Sequence, residues 1–403
     1  MRAQAISRIE PAAAVVAAIA LALHWMTPSL HAADCTQTSV GFTPLNDLGS
    51  GLYLGQFPGG LYPAGLNQPP AAHAAEGASR AAAVEPLTTL GKPSPAGRYV
   101  LLSIGMSNTT QEYQRFMQLA AASPLVNHTT LRIVDGASGG QTASTWDSPT
   151  DPNYDRVRDM ELAPLGLTEA QVQVAWVKVA NAGPTVSLPN SNADAYLLLQ
   201  QSGNIARALK VRYPNIRIAF LSSRIYAGYA STMLNPEPYA YESAFGAKWV
   251  IQSQVSQMSG GPGLPQAGNL NYDTVAPWLA WGPYLWADGL VPRSDGLIWQ
   301  CSDLGTDGTH PSAAGREKVA QMLMQFMLNS PFAAPWFRAD GGLPDADIND
   351  DGVVDGLDIG ILLSQWSAGG APLCGATFCP ADLNHDGVVD GIDLGIMLSQ
   401  WTG

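Results

Sequence analysis

Basic residues are scarce in this chain. Only 20 of its 403 residues are Lys or Arg, against 33 Asp or Glu, and no stretch concentrates them. That excludes the electrostatic footprint of a nucleic-acid-binding protein. Cysteine is limited to four residues, Cys35, Cys301, Cys374 and Cys379, a number that fits an oxidising compartment and permits three connectivities. Cys374 and Cys379 flank a short loop that they can close, which would leave Cys35 for a long-range bridge to Cys301. Histidine is rarer still beyond residue 33: only His73, His128, His310 and His385 occur there. Long apolar runs are also missing. The one approach to such a run, Ala12–Leu23, is interrupted by His24 and falls short of the roughly 20 residues a membrane span needs.

That run has another reading. Arg2 and Arg8 precede it and the small residues Ala32 and Ala33 follow, the layout of a secretory signal peptide over residues 1–33. The remainder is expected to be exported and soluble, secreted or held at a cell surface. Residues 34–97 are rich in Gly, Pro and Ala with little periodicity; they are expected to wrap irregularly over a core, with disorder possible from Pro69 to Ala83. A further Gly/Pro-rich stretch, 329–344, reads as a linker.

Residues 98–328 alternate between two kinds of segment. Short apolar runs rich in β-branched residues, at 98–104, 131–135, 172–179 and 216–223, predict buried strands. Helical patterns at 111–121, 193–213, 242–258 and 312–328 fall between or after them. Such alternation predicts an α/β fold, a parallel sheet covered by helices on both faces. In these folds chemistry lies beyond the carboxyl ends of the strands.

Ser107 follows the first strand there, in Gly105-Met106-Ser107-Asn108. A helix start accounts for its neighbours: Asn108 or Thr109 can cap, and Thr109-x-x-Glu112 matches a capping box. Ser107 itself is not needed for that, which leaves it available as a nucleophile. A serine nucleophile requires a base and an acid that orients the base. His385 lies inside the acidic repeat and His73 and His128 sit in loop-like contexts, whereas His310 has a carboxylate one turn of chain before it, Asp307, and a helix follows it at once. A rival is Ser138, because Gly136-Ala137-Ser138-Gly139-Gly140 satisfies Gly-x-Ser-x-Gly. That elbow needs a helix directly after the serine, and the following residues, with two prolines and no apolar period, do not predict one.

With "GMSN" at 105–108 and "DGTHPS" at 307–312, the region resembles the SGNH/GDSL hydrolase superfamily, whose first block places the serine after the first strand and whose last block is Asp-x-x-His before the C-terminal helix. The usual Gly-Asp-Ser is Gly-Met-Ser here. The resemblance covers about residues 98–328 and implies a three-layer α/β/α sandwich with esterase-type activity. It implies Ser107, His310 and Asp307 as the catalytic set, with the Ser107 and Gly139 N–H groups as oxyanion donors. The family's third block, Gly-x-Asn-Asp, is not recognisable; "WVKVANAG" occupies its place and offers Asn181 or Lys178 instead. No metal is implied for catalysis.

The C-terminus is an internal repeat. "DINDDGVVDGLDIGILLSQW" at 347–366 returns as "DLNHDGVVDGIDLGIMLSQW" at 382–401, two copies of one structural unit. Residues 345–403 carry ten Asp and no Glu, Lys or Arg, which is −10 of the chain's formal −13. Their spacing is that of EF-hand calcium loops. In the first copy the loop residues are Asp347, Asn349, Asp351, Val353 through its carbonyl, Asp355 and Asp358, with Gly352 at the turn. In the second they are Asp382, Asn384, Asp386, Val388, Asp390 and Asp393, with Gly387 at the turn. Asp stands last where EF-hands use Glu, and one amphipathic segment follows each loop. This loop–helix duplication resembles a type I dockerin, which implies a small all-α domain over about 345–403, two structural calcium ions and a cohesin-type or cell-surface partner.

Together these readings lead to a secreted serine esterase acting on an acylated glycan or another ester, with acetyl groups on plant or algal glycans favoured by the company dockerins keep. Trp146, Trp176, Tyr226 and Tyr229 can be a sugar platform or core packing. The alternative is a non-catalytic surface or scaffold-associated glycan-binding protein that keeps the hydrolase fold.

Overall fold

The computed structural model describes residues 32–341, 346–349, 351–367, 379–383 and 388–402. Five strands form one sheet: β1 (Tyr99–Gly105), β2 (Leu131–Val134), β3 (Val172–Lys178), β4 (Ile218–Leu221) and β5 (Trp278–Trp281). Their order is β2-β1-β3-β4-β5, and every pairing is parallel. All seven residues of β1 and all seven of β3 are buried, as expected of central strands covered on both faces. The fifth strand has no counterpart in the sequence expectation. "WLAW" is four residues long, follows a proline and lacks β-branched residues, so it carries no strand pattern of its own.

The helices of eight residues or more are α1 (Ala71–Ala82), α2 (Ser107–Ala122), α3 (Asp194–Arg212), α4 (Tyr239–Met258), α5 (Ala313–Asn329), α6 (Gly356–Ser364) and α7 (Gly391–Ser399). From β1 the chain runs outward to β2, and from β3 it runs the other way to β4. Right-handed crossovers therefore put α2 and α3 on opposite faces. Accordingly α2 packs with α5, and α3 with α4. The sheet order reverses between β1 and β3, and the crevice beyond their carboxyl ends is the expected binding place.

Residues 71–82 correct the expectation of possible disorder. They form α1, which docks tightly because Gly77 lets the backbone meet Trp278; a Cβ there would lie 2.3 Å from the indole. Elsewhere the N-terminal segment carries a one-turn helix, Leu45–Leu48, and a short antiparallel pair, Leu52–Tyr53 with Phe57–Pro58, and is held by polar ties. Asp288 accepts from the Val40 and Gly41 N–H groups at 2.7 and 3.0 Å, and the Tyr53 hydroxyl donates to Glu242 at 3.1 Å. Cys35 and Cys301 are joined by a disulfide. Cys374 lies outside the described residues.

A second, smaller apolar cluster gathers Ala346, Val354, Leu362, Ala381, Leu383, Val389 and Met397. Asp355 and Asp390 cap α6 and α7, their carboxylates accepting from the Leu357 and Ile392 N–H groups at 2.7 Å. The two copies also clasp each other. Val354 N–H donates to Thr402 Oγ1 at 2.8 Å, while Thr402 N–H donates to the Val354 carbonyl at 3.1 Å. Val389 and Ser367, one period away, repeat the exchange at 2.9 and 2.8 Å. No helix among the described residues is long and apolar enough to cross a membrane.

Candidate active site

Three side chains from two distant parts of the chain meet beyond the carboxyl end of β1. Ser107 Oγ lies 2.8 Å from His310 Nε2, and His310 Nδ1 lies 2.6 Å from Asp307 Oδ2. The other Asp307 oxygen accepts the backbone N–H groups of Thr309 and His310, both at 3.0 Å. The His310 and Asp307 side chains keep 28% and 21% exposure, so the pair is partly open to solvent. Burial pushes the Asp307 carboxyl up, but the hydrogen bonds from the His310 ring and from the two amides outweigh it and hold the group below the ordinary carboxylate value.

The loop bearing Asp307 and His310 is fixed on several sides. Asn108 Nδ2, next to Ser107, donates to the Thr309 carbonyl at 2.9 Å. Thr232 Oγ1 and Thr309 Oγ1 are 2.9 Å apart, and Ser231 N–H donates to the Asp307 carbonyl at 3.1 Å. Gly308 adopts φ +63°, and a Cβ on it would lie 1.9 Å from the Tyr229 carbonyl oxygen. Only glycine meets both demands. From the N-terminal side, Ala33 N–H donates to the Thr306 carbonyl at 2.7 Å.

Helix α2 starts at Ser107 with Met106 as its N-cap, earlier than the pattern at 111–121 implied. The expected capping box between Thr109 and Glu112 does not form. Thr109 instead reaches back: its hydroxyl accepts from Met106 N–H at 3.3 Å and donates to the Lys178 carbonyl at 2.6 Å. Glu112 is fully buried and receives Lys178 Nζ at 2.6 Å. Lys178 is thus an ion-pair partner inside the fold. Burial pulls its amine down to about 8 and pushes the Glu112 carboxyl up, each opposed by the partner's charge.

Starting the helix at Ser107 has a chemical effect. The Ser107 N–H stands at the positive end of α2. Among the described residues it donates to no protein acceptor, and neither does the Gly139 N–H. Gly139 is beside the serine: a Cβ on it would be 4.0 Å from Ser107 Cβ. Asn181 is occupied elsewhere, its amide donating to Gln201 Oε1 at 2.7 Å.

The remaining candidates fall outside this arrangement. Ser138 is followed by no helix, only the single turn Ala143–Thr145, and its hydroxyl has no hydrogen bond to a histidine. His73 Nε2 is bound to the Leu279 carbonyl at 2.9 Å and His128 Nε2 to the Ser123 carbonyl at 2.9 Å. Trp146, Trp176, Tyr226 and Tyr229 are all fully buried, so they are core and not a sugar platform. Ser103, Asp135 and Arg156 were not singled out by their sequence context, yet they bond to the loop that carries Gly139. A lone serine inside the apolar "VLLSIG" was the available signal.

In the C-terminal repeat, the Asp358 carboxylate accepts from Ile348, Asn349 and Asp355 N–H groups at 2.8, 3.2 and 2.9 Å. Asp347 accepts the Gly352 N–H at 2.6 Å across the loop turn. Among the described residues no three His, Cys, Asp or Glu side chains converge to hold an ion. Asn384 and Asp386 lie outside them.

No protein family matches the chain, and no curated protein does. Among solved structures the chain is similar to BT4096, a gut microbial diltiazem-metabolizing enzyme, at 15% identity and a TM-score of 0.32 over 57% of this chain. The match spans 46%, about half, of that enzyme's length.

Proposed function

We propose that this protein is a serine ester hydrolase of SGNH/GDSL type, exported from the cell and joined to a calcium-dependent dockerin module. The observation that carries the enzymatic reading is the hydrogen-bonded line Ser107–His310–Asp307 at 2.8 and 2.6 Å. His310 Nε2 takes the Ser107 proton as Oγ attacks an ester carbonyl. Asp307 fixes the ring with Nδ1 protonated and stabilises the imidazolium. The Ser107 and Gly139 N–H groups receive the oxyanion, and loss of one such donor typically costs about 10²–10³ in kcat. His310 then protonates the departing alcohol, and a water it deprotonates releases the acid. Acetyl groups on glycans are the proposed substrate class, by analogy with the enzymes dockerins accompany.

A fluorophosphonate probe is expected to label the protein at Ser107 and to leave Ser107→Ala unlabelled. Undiminished hydrolysis of a small acetyl ester by Ser107→Ala would sink the reading.

The repeat's donor set is all oxygen, carboxylates with amide and backbone carbonyls, which fits a hard cation such as calcium. Asp347, Asn349, Asp351, Val353, Asp355 and Asp358 would hold one ion, and Asp382, Asn384, Asp386, Val388, Asp390 and Asp393 the other. When bound, calcium supplies folding energy to a small module and no chemistry to Ser107. A cohesin-type or cell-surface protein is its proposed partner. At calcium a hundredfold above Kd, each site is expected to add about 2.7 kcal/mol. Calorimetry of the full chain with calcium and with chelator measures this, and identical traces in both would refute the module.

A further inference from the structure

We infer that Ser103 and Asp135 form a positioning pair that sets the oxyanion loop, residues 136–140, against the start of the nucleophile helix. This rests on the esterase reading for its catalytic consequence and on geometry for its structural one.

Ser103 is fully buried within β1, where an apolar residue would serve packing better. Its hydroxyl is fully employed. It donates to Asp135 Oδ1 at 2.6 Å and accepts from the Gly136 and Ala137 N–H groups at 3.0 and 3.1 Å. Asp135, at the end of β2, completes the network. Its Oδ1 also accepts the Ala137 N–H at 3.2 Å. Its Oδ2 accepts from the Thr110 hydroxyl and from Gln114 Nε2, the latter at 3.2 Å. Thr110 lies on the first turn of α2, three residues after Ser107.

One carboxylate therefore binds both halves of the catalytic arrangement, the helix that begins at Ser107 and the loop that carries Gly139. Arg156 fastens the same loop from outside: its guanidinium donates to the Gly136 carbonyl and to Glu161 Oε1, the latter at 2.8 Å. The Ser138 N–H bonds back to the Gly105 carbonyl at 3.2 Å. The loop is tied at residues 136, 137 and 138, and Gly139 is the first residue beyond the ties. Its N–H direction follows from theirs.

A network that only stabilised the fold would, when cut, lower the folded fraction and leave folded molecules equally active. A positioning network acts on the transition state, because the oxyanion exists only there; its loss lowers kcat with KM little changed. Misplacement of a catalytic group by about 1 Å costs about 10²-fold.

Two variants, Ser103→Ala and Asp135→Asn, test the pair by two readouts on the full chain. In hydrogen exchange, amides of residues 136–140 are expected to exchange at least about tenfold faster than in wild type, with amides of β3 unchanged. In turnover of a small acetyl ester, kcat per folded molecule is expected to fall by about 10²-fold at nearly constant KM. Unchanged exchange of the loop in both variants would overturn the inference whether or not the protein is an esterase. Faster exchange with undiminished kcat would overturn its catalytic half. Absence of turnover and of fluorophosphonate labelling in wild type would instead remove the esterase reading, leaving the loop-setting role to the exchange result.

Discussion

His310→Ala is expected to lower kcat on a small acetyl ester by about 10⁶-fold while leaving the unfolding temperature close to that of wild type. The size follows from the ring's two simultaneous contacts, Nε2 on Ser107 and Nδ1 on Asp307. Without it the serine hydroxyl keeps its proton at neutral pH and the leaving alcohol has no acid. The small stability cost follows from partial exposure and from the loop's other ties, through Asn108, Ser231, Thr232 and Gly308. Asp307→Asn is the graded companion. An asparagine retains an oxygen for the Thr309 and His310 amides but presents the wrong partner to Nδ1, so about 10⁴-fold is expected to be lost. Steady-state kinetics with thermal unfolding on the same preparations measures both. Retention of more than about a tenth of the activity by His310→Ala would remove His310 as the base.

The sequence was legible where a residue's neighbours carry its meaning and mute where its meaning comes from far away. Ser107 stood out because strand-end position and local pattern left it without a capping duty, and Asp307 with His310 because one turn of chain separates them. The central strands β1 and β3 were legible as apolar runs, since burial on both faces removes the need for alternation. By contrast, α1 hides in Ala-rich sequence and is held by its contact with Trp278, and β5 is a strand because β4 recruits it. The capping box at Thr109 and Glu112 failed for a tertiary reason: a buried lysine on β3 claims the glutamate, and the β3 carbonyl claims the threonine hydroxyl. Asn181 likewise looked available only while Gln201 was out of sight.

That buried pair carries the other large effect. Lys178→Met is expected to destabilise the domain by about 3–5 kcal/mol, because it leaves the Glu112 carboxylate buried without its partner. Replacing both, as Glu112→Leu with Lys178→Met, is expected to recover most of the loss, since two apolar groups avoid the desolvation that an unpaired charge suffers. Denaturant unfolding of the three proteins measures the difference, and a Lys178→Met protein within about 1 kcal/mol of wild type would refute the pair's role. The single variant should also depend on pH in a defined sense. Burial already raises the Glu112 carboxyl, and losing Lys178 raises it further. A carboxyl raised in the folded state is protonated there while the unfolded chain still ionises near the ordinary glutamate value of 4.5. Stability of Lys178→Met is therefore highest below that value and is lost as pH rises through the folded-state value. The pair's position makes this more than a matter of the core. The Lys178 carbonyl anchors Thr109, and Thr109 holds the Met106 N–H at the first turn of α2. Loosening β3 against α2 at the point where the sheet order reverses loosens the Ser107 N–H as well. Folded Lys178→Met molecules are accordingly expected to turn over more slowly than folded wild type, and the double variant, with its charge removed and its packing restored, to regain both stability and rate.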